Sequence, residues 1–305
     1  MKKSPRARAI VGLALLAAVL PLQAQERSTA DGIAEYRKML EDGNPADLFE
    51  MKGQELWKQK RGPKSASLEA CDLGQGPGVV KGAFVTLPRY FADTGKVQDL
   101  ESRLVTCMET LQGFNAAEIA KTPFGRGEMA NVTALATWIA AESRGMRFNL
   151  PQNHPEEKKS YEIGKRVFFF RGGPMDFSCA GCHSVDGQRI RLQDLPNLTK
   201  NPGDGVGFAA WPAYRVSNGQ MWSMQLRLND CYRQQRFPYP GFASEATIAL
   251  GTYMGVRQGR EVHRAVDQAL KAGVTHHAQE VLRAPAGRRG GRRAAGGLRH
   301  RPRPH

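Results

Sequence analysis

The sequence predicts a mainly α-helical protein made of two tandem domains. Three observations carry this: a degenerate internal repeat, apolar residues at helical spacing in both halves, and no convincing run of strands. Gly53, Trp57 and Cys71 recur 111 positions on as Gly164, Phe168 and Cys182. Pro88, Tyr90, Gly95, Arg103, Leu104 and Cys107 recur 124 positions on as Pro212, Tyr214, Gly219, Arg227, Leu228 and Cys231. Ala134, Leu135, Thr137 and Trp138 recur 115 positions on as Ala249, Leu250, Thr252 and Tyr253. The change of offset from 111 to 124 means 13 extra residues in the second half. They fall between His183 and Trp211, where Gly, Pro and Asn mark a loop.

Along the chain, Lys2, Lys3, Arg6 and Arg8 precede an apolar run from Ile10 to Leu20, with the small Ala24 beyond it. Residues 1–24 are therefore expected to be an export signal. The run is short for a bilayer; a retained anchor is the alternative. Residues 25–150 and 151–260 are expected as the two domains. Their join, Gly145 to Glu157, holds Pro151 and Pro155, both expected to break a helix. In the second domain Tyr161, Gly164, Lys165 and Phe168 share one helical face. Closing helices are expected near 128–144, with Val132, Leu135, Ala136 and Ile139 on one side, and near 244–254, with Ser244 as N-cap. Residues 261–305 are expected as an atypical, disordered basic tail, either an unnatural ending or a genuine basic arm.

The formal net charge of +15 resides in the ends. Residues 1–24 carry four positive charges and residues 283–305 eight arginines, neither with an acid, leaving +3 between them. Nothing outside the tail therefore speaks for nucleic acid. Past the leader no segment is apolar enough for stable membrane insertion.

The chemistry centres on Cys179-Ala-Gly-Cys182-His183. Two thiols three positions apart can each add to a haem vinyl group, and the histidine then ligates the iron. The competing readings are a redox Cys-x-x-Cys and half a zinc site; neither context is evident. His183 should place its other ring N–H on a carbonyl. For the opposite face of the iron the candidates are Met221, Met224, Met254 and Cys231. Methionine is the usual ligand and raises the potential, although methionine at helical spacing more often fills a core.

The repeat favours Cys231. Leu68 and Asp72 stand where Cys179 and His183 would, so the first half is expected to have lost its haem. It keeps Cys71 at an attachment position and Cys107 at the position of Cys231. These two thiols would face one emptied cavity and could join as a disulfide in an oxidising compartment. The five cysteines then divide into two on haem, two bridged and one on iron; a buried free thiol is the alternative for Cys231. Arg227 lies one helical turn before Cys231 and could bind an oxyanion or stabilise a thiolate. Arg103 stands equally before Cys107, which also fits inherited architecture such as a contact to haem propionate or backbone.

Gly164 lets a second helix approach, with Tyr253 the candidate to cross it. This pair, with Leu195-Pro196-Asn197-Leu198, resembles class I cytochrome c domains. The expected fold is thus two tandem class I cytochrome c-like domains, the first without haem. Residues 30–256, with Cys-Ala-Gly-Cys-His and Arg227-Leu-Asn-Asp-Cys231-Tyr, resemble the SoxA family, cytochrome c subunits of the bacterial thiosulfate-oxidising Sox system, in its single-haem variant. The resemblance implies one covalently bound haem c and a Cys71–Cys107 bridge in place of the first haem. It implies that Cys231 ligates iron as a persulfide and takes part in sulfur transfer, and that Arg227 belongs to the active site. It also implies a periplasmic L-cysteine S-thiosulfotransferase, a SoxX-like monohaem partner in a heterodimer, and a SoxYZ-like carrier whose cysteine receives thiosulfate. Beyond Arg257 the chain departs from the family. The main rival is a non-enzymatic electron carrier with His/Met ligation.

Overall fold

The computed structural model describes residues 35, 38, 39, 43–190, 193–200 and 206–257. The expected export signal and the basic tail lie outside them. By contacts the chain divides into Met1–Gly43 and Asn44–His305, and every helix and strand from Pro45 onward belongs to the second unit.

The first half of that unit runs α1 (Pro45–Lys58), a 3-10 turn, β1 (Arg89–Phe91), β2 (Lys96–Gln98), α2 (Leu100–Cys107), a π turn, α3 (Ala116–Lys121) and α4 (Gly127–Ala141). The second runs α5 (Pro155–Phe169), α6 (Cys179–His183), β3 (Arg189–Ile190), β4 (Gln193–Asp194), α7 (Val206–Ala209), β5 (Ala213–Arg215), a 3-10 turn, β6 (Gln220–Trp222), α8 (Met224–Gln235) and α9 (Glu245–Val256). The protein is mainly α, as its sequence implies. The strands form three antiparallel two-stranded hairpins of two or three residues each, too short to leave an alternating pattern. Among the described residues no helix is long and apolar enough to cross a membrane.

Two helix crossings hold the core. α1 packs on α4 and α5 on α9, each through a glycine. A Cβ at Gly53 would collide with the Ala134 carbonyl, and one at Gly164 with the Ala249 carbonyl. Beside each glycine an aromatic pair fills the crossing, Trp57 with Trp138 at 5.7 Å and Phe168 with Tyr253 at 5.2 Å between centroids. Helices α4 and α9 are buried nearly all round, so their hydroxyls need internal partners. Thr137 donates to the Thr133 carbonyl and Thr252 to that of Ile248. Ser244 caps α9 by accepting the Thr247 amide.

The hairpins also recur. β1–β2 pairs Arg89 with Gln98, and β5–β6 pairs Ala213 with Trp222, the same positions shifted by 124. Gly95 and Gly219 close them at φ 66° and 61°, a conformation glycine adopts without strain. Asp99 and Ser223 then cap α2 and α8.

Pro155 does not break a helix; it opens one. At the first helical position the N–H it lacks would have no intrahelical partner. Glu157 completes the cap by accepting the His154 amide at 3.1 Å, and its other oxygen accepts the Tyr90 amide of β1 at 3.0 Å. The Tyr90 ring stacks on His154 at 3.7 Å.

An acidic pair, Glu101 buried and Asp99 half-buried, lies where the halves meet. Gln225 of α8 donates its side-chain N–H to Asp99 at 2.7 Å and its backbone N–H to Glu101 at 3.2 Å. The other Glu101 oxygen is buried without a hydrogen-bond partner. Burial, with the Asp99 charge adding to it, pushes Glu101 up to about 8.

Two outcomes follow from this packing. Gly164→Ala should lower the urea midpoint by a stability loss of about 1–3 kcal/mol, since backbone must move to admit the methyl. The native state also keeps a proton on Glu101 that the unfolded chain releases above its ordinary 4.5, so this group's contribution to stability is full below that value and is lost as pH rises through about 8. Melting curves from pH 6 to 9 should slope downward, and less so in Glu101→Gln.

Candidate haem and sulfur site

An isolated bridge between Gly172 and Phe177 closes the turn after α5, where Arg61 and Ala66 do the same after α1. Ser178 follows, and its hydroxyl oxygen accepts the Gly181 amide at 3.0 Å, capping α6. This single helical turn sets Cys179, Cys182 and His183 at i, i+3 and i+4, on one face.

His183 Nδ1 lies 2.9 Å from the Pro196 carbonyl oxygen. A carbonyl only accepts, so Nδ1 carries the proton and Nε2 keeps its lone pair. The Leu198 amide donates to the His183 carbonyl at 2.8 Å, fixing the Leu195–Leu198 segment against the histidine from both sides. Burial lowers the imidazole's affinity for a second proton, the charge of Arg227 lowers it further, and the Pro196 bond opposes both. The result favours a neutral ring, the form that ligates a metal.

Cys179, Cys182 and Cys231 are free thiols, whereas Cys71 and Cys107 are joined, S–S 2.02 Å and Cα–Cα 5.6 Å. Burial pushes Cys179 up to about 12, and the neighbouring Cys231 and Cys182 add to that. Burial likewise raises Cys231, with Arg227 opposing and Asp230 and Cys182 reinforcing. The fold thus brings Cys179, Cys182 and Cys231 within electrostatic reach of one another, on two elements far apart in sequence.

Arg227 and Cys231 lie one turn apart on α8. Arg227 pairs with Asp230 at 3.2 Å and lies 5.8 Å from the Trp211 ring. Its counterpart Arg103 is tied differently, donating to the Asp72 carbonyl at 2.7 Å and to Asp93 at 2.7 Å. The first-half arginine is therefore a neutralised structural strut, and Arg227 lacks both of those ties. Among the methionines, Met221 and Met254 are buried at 2% and 5% exposure and Met224 packs against the core, as side chains that fill space do.

Sequence reasoning missed Arg215, at the end of β5, whose guanidinium lies 4.9 Å from the Trp222 ring centroid. The signal was present: the same 124-residue offset that matched Arg227 with Arg103 sets Arg215 on Phe91.

Two convergent thiols and a neutral imidazole with a bare nitrogen are the donor set of a covalently held haem, so the residues present fit that group. Cys179 and Cys182 would hold it, with His183 on one axial face.

The SoxA/TsdA cytochrome c domain family matches residues 52–148, most of the half that holds the disulfide. The L-cysteine S-thiosulfotransferase subunit SoxA of Hydrogenophilus thermoluteolus is 54% identical over 257 residues, 83% of this chain and 94% of that protein. A subunit of the same name from Hydrogenobacter thermophilus is 35% identical, covering 76% of this chain and 85% of its own. Among solved structures, the crystal structure of SoxXA from P. pantotrophus matches with a TM-score of 0.62 and 26% identity, covering 76% of this chain and 82% of that one.

Proposed function

The chain belongs to the SoxA family, and on that premise we propose that it is the cytochrome c subunit of a periplasmic L-cysteine S-thiosulfotransferase, with a SoxX-like monohaem cytochrome as its partner. It joins thiosulfate oxidatively to a cysteine of a SoxYZ-like carrier. The observation that supports this most directly is the shared field of Cys231, Arg227 and the two Cys-x-x-Cys thiols. Cys231 lies within electrostatic reach of the attachment cysteines, whereas the candidate methionines are buried or packed against the core.

In this reading the body comprises two cytochrome c-like domains, 25–150 without haem and 151–260 with one. The Cys71–Cys107 bridge occupies the place of the missing group, and a disulfide suits an exported protein. Cys231 would hold the iron together with His183 and would be the sulfur on which a transferred group is carried, as a persulfide in the form the family implies. Arg227 holds the negative charge of thiosulfate beside that sulfur, where a fixed cation in a partly buried site acts more strongly than in water. Pro196 keeps the proton on His183 Nδ1 and so keeps the other nitrogen for iron.

Coupling a carrier thiol to thiosulfate forms one S–S bond and releases one proton and two electrons. Bound haem supplies a one-electron acceptor next to the reacting sulfur. A second acceptor is needed, which is the role of the partner cytochrome.

Cys231→Ala should abolish thiosulfate-dependent turnover in the complex with partner and carrier, while haem stays attached through denaturation. The thiolate-type low-spin EPR signal should disappear with it. Unchanged turnover would leave the electron-carrier reading with His/Met ligation standing.

A further inference from the structure

The repeat provides a control inside the molecule. In the first half Phe91 ends β1, and the Arg103 guanidinium carbon lies 4.0 Å from its ring centroid. Asp93 neutralises that arginine at 2.7 Å. Shifted by 124, these three positions become Arg215, Arg227 and Ser217. The two hairpins keep the same register there, Phe91 opposite Lys96 and Arg215 opposite Gln220. Residue 215 thus takes the hairpin position that in the first half meets the helical arginine. The second half has exchanged an aromatic platform for a second cation, and its helical arginine pairs with Asp230 on its own helix in place of the lost acid at 217.

Arg215 has no hydrogen-bond or ion-pair partner among the described residues; its contact is the Trp222 ring. Asp230, the nearby carboxylate, is already engaged by Arg227 at 3.2 Å, Arg233 at 2.7 Å and Gln234 at 2.7 Å. Burial and then the charge of Arg227 make it easier for Arg215 to lose its proton, while Asp230 and Cys231 oppose this. The two guanidinia and the sulfur therefore share one field. Two cations held together and partly desolvated repel each other, and a bound anion relieves that repulsion.

We propose that Arg215 is a second oxyanion-binding residue that acts with Arg227 to hold a dianionic sulfur oxyanion by its oxygens against Cys231. This deepens the thiosulfotransferase reading and rests on it. Two guanidinia, rather than one, set the site's preference for a doubly charged ligand.

The test uses the haem-loaded complex with partner and carrier. Arg215→Gln should raise KM for thiosulfate about tenfold, as expected for one lost charge-assisted hydrogen bond, with kcat changed less than about threefold. Its haem spectrum and potential should match the wild type, and Arg215→Lys should recover part of the loss. An unchanged KM overturns the proposal. So does a shifted haem potential with unchanged KM, which would assign Arg215 to a haem propionate. If the wild-type complex does not turn thiosulfate over, the thiosulfotransferase reading fails. Calorimetric binding of thiosulfate to the resting complex then still decides the role of Arg215, where equal affinity in wild type and Arg215→Gln refutes it.

Discussion

Backbone-on-backbone contact at two glycines is the constraint that organises this protein. Helices α1 and α4, and α5 and α9, approach until a carbonyl fills the space where a side chain would begin. Nothing larger than hydrogen fits there, so the crossings are set by shape rather than by the amount of apolar surface. The aromatic pairs beside them lock rotation of one helix on the other. The intervening segments are free to differ, because the crossings and not the loops hold the scaffold. This is why one half can carry a Cys-x-x-Cys-His turn and the other a disulfide on closely matched frames.

The divergence of the halves is chiefly electrostatic. In the first, each charged group around the helical arginine is answered: Asp93 and the Asp72 carbonyl take its donors. In the second, thiols replace the bridge, serine replaces the acid, and arginine replaces phenylalanine. The same geometry that makes a quiet core on one side sets two arginines and three free thiols near one another on the other. Comparison of the two sides shows which matched positions differ in charge.

Much of this was legible in the sequence. The helices leave a 3.6-residue pattern, the haem turn is five consecutive residues, and the glycine crossings show as matched positions in the repeat. What was hidden shares one trait: its meaning depends on partners far away in sequence. Pro155 reads as a helix breaker until the cap around it is seen. The hairpins are too short for periodicity to register. Glu101 sits on a helix face that looks solvated, and only the approach of Gln225, 124 positions away, buries it. Arg215 resembles an ordinary surface cation until its counterpart in the other half is found stacked on the helical arginine.

The cap of α5 ties the two halves together. The second half begins with a proline, and the glutamate that finishes its opening turn also takes an amide from the first. Neither half could be traded alone without leaving a raw edge. A change at this cap is therefore felt in both halves at once.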